Sequence, residues 1–374
     1  MATPIFSTQD VLKYAEQRLF GLNVRPNDVG EIRLYNGFLP SEVVARVQNE
    51  NNKWVSSTEF PIEVLQGNQR EPIYFSKSAE KQRGILHIPQ YSGFGRRRRY
   101  ETMIEKYIET SAREIGFHSL DVDAGARRTN IQYDNFAYDF VKRLFEQGVM
   151  EGIDDIVIGP LEEVAKQTRV VDIHKNEYLD AQAVVIGERK LLNIGYVYAD
   201  QAGIILDKML REYEARARIE GAKKEVTILM FGRVGGLEEG IKRGEVVFPC
   251  GIIDGIDLER NHPFVYPIHN VLVREGDTTG WNLNVATTIE ETVEQLLLAK
   301  ELGCSCVEME TRETVEAINR ARRRYEGKLN IHFGFVGHVS DVPLRGDTLA
   351  TELTSHEGEE RAVTRIVDYL QRRG

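Results

Sequence analysis

Three segments in the second half of the chain hold residues whose types and spacing could do chemistry. The first is Phe231-Gly232-Arg233-Val234-Gly235-Gly236-Leu237, directly after the β-branched run that starts at Val226. Paired glycines let a backbone approach a ligand closely and expose its N–H groups. The same pair also makes an ordinary tight connection after a strand. The second segment is Val307-Glu308-Met309-Glu310-Thr311, at a strand-to-helix junction. Strand alternation would send Glu308 and Glu310 to one side. Two acids at the end of a buried apolar strand are costly unless paired or functional. One such carboxylate could accept both hydroxyls of a ribose; alternatively, Glu310 and Glu313 complement the dipole of the following helix. The third segment runs from Phe335 through His338, Ser340 and Asp341 to Pro343 and Gly346. Ligands of open α/β sheets collect at the carboxyl ends of strands. An aspartate there can give a proton to a leaving group, or it can cap the turn before Pro343. His338, inside an apolar strand, reads as a core histidine.

The elements that must hold these segments follow from periodicity. Residues 8–20, 99–115 and 134–147 have helical spacing, and 28–92 is extended and broken by Asn and Gly. After Gly152, short β-branched runs alternate with helices. Strands are expected at 182–187, 191–195, 226–231, 246–253, 265–273, 304–309 and 331–339, and helices at 200–217, 288–302, 311–325 and 358–372. That alternation indicates a three-layer α/β/α sandwich around a mostly parallel sheet, preceded by an N-terminal α+β domain. The boundary is placed between residues 1–175 and 176–374.

Bulk properties narrow the function classes. The chain has 374 residues, 41% hydrophobic and 28% charged, with a net charge of −10. General affinity for nucleic acid is not expected at that charge. No apolar stretch is long enough for a membrane span, and the first residues lack the pattern of a signal peptide, so the chain reads as cytoplasmic. Its three cysteines, Cys250, Cys304 and Cys306, are too few for a disulfide framework and read as thiols rather than as a zinc site. No cofactor and no metal is expected. The run Arg96–Arg99 is a solvated turn or a phosphate contact, since arginine forks suit phosphate oxygens.

The order of the three segments, G-G-L, then V-E-M-E-T, then V-S-D, resembles the nucleoside phosphorylase and nucleosidase superfamily. Within it the sequence is most similar to the AMP nucleosidase family. Val339 to Asp347 is similar to that family's V-S-D-x-P-L-x-G-E segment, and Leu192-Asn-Ile-Gly195 resembles its V-N-I-G stretch. Thr278-Thr279-Gly-Trp-Asn282 is loosely similar to a T-T-D-D-R-N-W region. Thr129-Asn130 and the stretch from Phe136 to Val141 resemble elements of the family's N-terminal domain, as does the helix from Arg99. The likeness spans roughly residues 95–374.

The resemblance implies a nucleoside phosphorylase-type fold and an N-glycosidase acting on a purine nucleotide, with AMP leading, to give free base and ribose 5-phosphate. Asp341 would be the general acid. Glu310 would bind the ribose hydroxyls with Met309 packed on the sugar, and Glu308, Ser340, Gly235 and Gly236 would complete the substrate pocket. Arg233, Arg127 and Arg128 are the phosphate candidates. A homo-oligomer is implied, with a hexamer favoured. The chain departs from the phosphate-handling pattern after Gly195, where Asp200 stands in place of a serine. A carboxylate facing inorganic phosphate repels it, which favours water as the nucleophile. Arg233 is a second departure: it would bind the substrate phosphate or pair with Asp200. Phosphorolysis of a purine nucleoside and non-catalytic nucleotide binding are the alternatives.

Overall fold

The computed structural model describes residues 7–19, 25–36, 54–56, 72–76, 83–90, 94–111, 113–120, 137–175, 180–195, 199–255, 258, 265–285, 291–347 and 357–373. They fall into two compact units, one within 6–136 and one covering 137–374.

The first unit joins helices α1 (Thr8–Leu19) and α2 (Phe94–Ser111) to strands β1 (Val29–Asn36), β2 (Trp54–Ser56), β3 (Pro72–Ser76), β4 (Gly84–Gln90) and β5 (Gly116–Leu120). The strand order is β2-β3-β4-β1-β5, with β1 parallel to both β4 and β5. Ile32, Leu34, Leu86 and Ile88 of the sheet are buried, as are Met103, Ile104 and Tyr107 of α2 and Ala15 and Leu19 of α1. Each set follows the period of its element, 2 for the strands and about 3.6 for the helices.

The second unit begins with a helical stretch over 137–146, here α3. It continues through β6 (Asp155–Ile158), α4 (Leu161–Gln167), β7 (Arg169–Lys175), β8 (Asp180–Ile186), β9 (Arg189–Ile194), α5 (Ala199–Glu220), β10 (Lys224–Gly236) and β11 (Val246–Asp254). Then follow β12 (Val265–Pro267), β13 (Thr279–Asn284), α6 (Val293–Glu301), β14 (Cys304–Glu308), α7 (Thr311–Arg324), β15 (Leu329–Asp341) and α8 (Glu357–Arg372). The expected boundary at 175 falls inside this unit. The reason is β6, a buried four-residue strand that runs parallel to β9 on one side and to β10 on the other.

The sheet is mixed. Strands β9, β6, β10 and β15 are parallel, whereas β7, β8 and β9 form an antiparallel meander. The α/β/α layering is as expected. Ala362, Val363, Ile366, Val367 and Leu370 of α8 and Val164 of α4 bury one face against Leu229, Phe231 and Val336. Alternation turns Ile228 and Met230 to the other face, where α5 and α7 pack on β10 and β15. Helix α7 fits that face because Thr311, Thr314, Val315, Ala317, Ile318 and Ala321 make one buried stripe.

One feature of the sheet decides where the candidate residues go. Strand β10 pairs with β15 along most of its length, but its last two residues, Gly235 and Gly236, also pair antiparallel with Val307 and Cys306 of β14. Strand β14 pairs with β13, β13 with β11, and β11 with β15, which closes a ring back to β10. The two glycines permit that closure. A Cβ on Gly235 would lie 2.9 Å from Val307 Cγ1, and one on Gly236 would lie 2.7 Å from Ile241 Cγ2 and 3.0 Å from Val339 Cγ1. Gly159, at the end of β6, has φ 155° and packs under Phe231, whose ring carbons would stand 2.2 to 2.6 Å from any Cβ.

Gly236→Ala is therefore expected to lower the unfolding free energy by about 2 kcal/mol through overpacking. The measurement is the urea midpoint at constant m-value. An unchanged midpoint would mean that Ile241 and Val339 give way without penalty.

Candidate functional site

The ring brings the ends of β10, β14 and β15 together. Gly235 is in register with Asp341 on one side and with Val307 on the other. Neighbouring strands lie about 4.8 Å apart, so the backbones at Asp341 and Val307 are separated by about 10 Å. A narrow cleft opens beside this crossing. Its walls are Ile158 and Gly159 from β6 and the turn after it, Met230 to Arg233 from β10, Phe335 from β15, and Glu308 and Glu310. Asp341, Ser340 and Met309 are not part of those walls.

Glu308 shares the cleft wall with Glu310, and its carboxylate is engaged within the protein. Strand β14 stops at Glu308, so alternation does not carry on to Glu310, which is the N-cap residue of α7 with φ −114° and ψ −24°. The buried Glu308 carboxylate accepts from Asn282 Nδ2 through Oε1, and from the backbone N–H groups of Glu310 and Thr311 through Oε2, the latter at 2.8 Å. It satisfies N–H groups that a helix start leaves open. Burial raises its pKa, and these hydrogen bonds from Glu310, Asn282 and Thr311 oppose the rise. Glu310 is half-buried and faces the cleft.

Met309 packs on the cluster formed by Leu237, Leu283, Leu296 and Val307. Gly235 and Gly236 also differ from expectation: Val307, Pro343, Ile241 and Val339 fill the space beside them, so they serve strand packing. Arg233 does line the cleft, but its guanidinium donates to Glu359 Oε1 from Nε at 3.3 Å and from Nη2 at 3.0 Å. That partner comes from α8. Asp200 lies in the first turn of α5, and its side chain is outside the described residues, as are Arg127, Arg128 and the side chains of Arg96–Arg99. His338 is buried in β15, as expected of a core histidine, with Nε2 3.5 Å from Glu359 Oε1. Cys304 and Cys306 are buried free thiols of β14.

Asp341 ends β15 and is only 6% exposed. Burial pushes its pKa up to about 7; the Ser340 hydrogen bond and Arg243 lower it, and Asp347 raises it. The Ser340 hydroxyl lies 2.8 Å from Asp341 Oδ1 and 3.3 Å from the Val234 carbonyl oxygen. One hydroxyl proton can serve only one of these acceptors at a time. It donates to the carboxylate when Asp341 is ionised. When Asp341 is protonated, the hydroxyl can turn to Val234 and accept from the acid. The segment after Asp341 is fastened by the Val342–Asp347 bridge, by the ion pair of Asp347 with Arg243, and by Arg345, which donates to the Ile241 carbonyl at 3.2 Å.

Sequence reasoning missed a second acid. Glu291 stands one residue before Thr292, whose hydroxyl caps α6 by accepting from Gln295 N. It is 4% exposed, and its Oε1 has no hydrogen-bond partner among the described residues. Burial raises its pKa well above the ordinary carboxyl value, and the charge of Asp341 raises it further. The negative charge of ionised Asp341 thus favours the protonated form of Glu291. Nothing in the local pattern Thr-Ile-Glu-Glu-Thr marks this residue, because its burial is tertiary. Asn282, the partner of Glu308, does fall in the Thr278–Asn282 stretch noted above.

No protein-family model matches the sequence, and no curated protein matches it. Solved structures give matches at low identity. One is the S-adenosylhomocysteine nucleosidase of Streptococcus pyogenes in complex with 5-methylthiotubericidin, at 13% identity and a TM-score of 0.45, covering 60% of this chain and 99% of that one. Another is the purine nucleoside phosphorylase of Toxoplasma gondii in complex with immucillin-H, at 18% identity and 0.44, covering 60% and 94%. A third is the uridine phosphorylase of Schistosoma mansoni in complex with thymidine, at 13% and 0.42, covering 64% and 91%. At these scores the likenesses say nothing about residues or reaction in this chain.

Two outcomes follow for Asp341. Ser340→Ala removes a bond to the carboxylate, so the Asp341 pKa should rise above about 7, measured by carbon-detected titration of labelled aspartate; a fall would show that the bond favours the acid form. The folded pKa also lies above the ordinary aspartate value of 3.8. The fold therefore binds the proton more tightly than the unfolded chain, and stability decreases as pH rises from about 4 to about 7. Asp341→Asn should remove that loss, a few kcal/mol by linkage, so the variant should gain on the wild type as pH rises.

Proposed function

We propose that the protein is an N-glycosidase that hydrolyses the bond between ribose and a purine base, with an AMP-like nucleotide as the leading substrate. The observation that carries this reading is Asp341, a buried acid held protonated up to about neutral pH at the carboxyl end of β15. General acids work best with a pKa near the working pH. A departing purine needs such a donor, because the electron pair of the broken bond leaves on the base.

The steps balance as follows. The C1′–N bond breaks, its electron pair passes to the base, and Asp341 supplies the proton that makes the base neutral. The sugar is left with oxocarbenium character. Half-buried Glu310, on the cleft wall, binds the ribose hydroxyls and places negative charge near that cation. Water adds at C1′ and loses a proton, which restores Asp341. The Ser340 hydroxyl, able to turn between Asp341 and Val234, accommodates both protonation states without moving the backbone. The resemblance in sequence also supports a homo-oligomer, with a hexamer favoured; sedimentation of the purified chain tests the assembly.

The test is release of free base from AMP, adenosine, inosine and GMP, with and without inorganic phosphate. Release independent of phosphate is expected. Release that requires phosphate would make the protein a phosphorylase, and nucleotide binding without release would make it a binding protein. Asp341→Asn should lower kcat by about 100-fold or more; full activity in that variant would remove Asp341 from the role of acid.

A further inference from the structure

The cleft contains one cationic side chain among its described walls, and its charge is already matched. Arg233 sits in the middle of β10, between the apolar floor of Met230 and Phe335 and the acids Glu308 and Glu310. Its guanidinium meets Glu359 through two N–H groups at 3.0 and 3.3 Å. Glu359 is only 4% exposed, and the same Oε1 lies 3.5 Å from the Nε2 of buried His338. It is the third residue of α8, where the positive end of the helix dipole favours a carboxylate. The helix is held in place by its apolar stripe on Phe231 and Val336, and Gly358 lies against His338, with its missing Cβ 2.9 Å from His338 Cβ. The pair is therefore built into the core, not a surface contact free to open.

An oxyanion entering this cleft would meet one neutralised guanidinium and two acidic residues, Glu308 and Glu310. Coulomb terms between close charges are large where water is excluded, and the carboxylate nearest to Arg233 would oppose a phosphate at short range.

We propose that Glu359 is a specificity-determining residue: by occupying Arg233 it keeps inorganic phosphate out of the cleft and leaves water as the nucleophile. This rests on the N-glycosidase reading for its purpose, but it is tested by binding alone. The pair also explains why an arginine stands beside the cleft of a hydrolase. It closes that wall and joins α8 to β10.

The test uses the full chain and inorganic phosphate, with sulfate as a second oxyanion. Affinity is read by isothermal titration and by the rise in Tm on ligand addition. Glu359→Gln removes the negative charge beside the guanidinium and should bind phosphate at least about tenfold more tightly than the wild type. The double variant Arg233→Met, Glu359→Leu replaces the pair by apolar groups and should bind phosphate no differently from the wild type. Unchanged or weaker binding in Glu359→Gln would overturn the proposal, because Glu359 would then be aiming Arg233 at phosphate. Weaker binding in the double variant than in the wild type would overturn it as well, and this arm still decides if Glu359→Gln does not fold. Absence of base release in every variant, with the binding pattern as expected, would sink the N-glycosidase reading and leave the role of Glu359 intact.

Discussion

The contact on which the site depends is the crossing of β10 with β14 at Gly235 and Gly236. A Cβ at either position would crowd the crossing of β10 from β15 toward β14, because Val307, Ile241 and Val339 already fill that space. With the crossing made, the strand that ends in Asp341 and the strand that ends in Glu308 become next-but-one neighbours. The paired glycines thus fix the placement of these strand ends through packing alone. Their absent side chains set the separation between an acid and the start of α7.

Burial then sorts the carboxyl groups into different tasks. Glu308 receives donors from Asn282 and the first turn of α7, so its charge is spent on holding a helix. Asp341 receives one hydroxyl and is otherwise desolvated, which keeps its proton near neutrality. Glu291 has one oxygen without a described donor, and burial raises its pKa well above the ordinary carboxyl value. Glu359 is matched by Arg233. The number and sign of the donors that each group meets distinguishes four acids that look alike in the sequence.

Much of the second unit was legible in the sequence. Long amphipathic or β-branched segments such as α5, α7, α8, β10 and β15 show their period over enough residues to be read directly. Strand β6 was not placed in the sheet, since the three apolar residues after Asp155 look the same in a buried strand and in a helix end, and its position between β9 and β10 is set by distant pairing. At the site, Asp341 and Glu310 were reached through their motifs. Alternation placed Glu308 and Glu310 on one side, and both line the cleft, but it did not show that β14 ends at Glu308 or that the Glu308 carboxylate accepts from the first N–H groups of α7. The partner of Arg233 lies 126 residues away in sequence, beyond any local pattern, and Glu291 is marked only by the packing around it.

The closed ring has a consequence for how the chain reaches this state. Its final strand, β15, comes from the last part of the polypeptide, and it must insert beside both β10 and β11. Until it does, those two strands keep open edges, and such edges invite pairing with other chains. Contacts this distant in sequence form slowly. During synthesis the acid and the strand that completes the ring emerge together, near the end. A chain interrupted before β15 carries exposed strand edges and no acid, so it is a species to be cleared rather than a partly active enzyme.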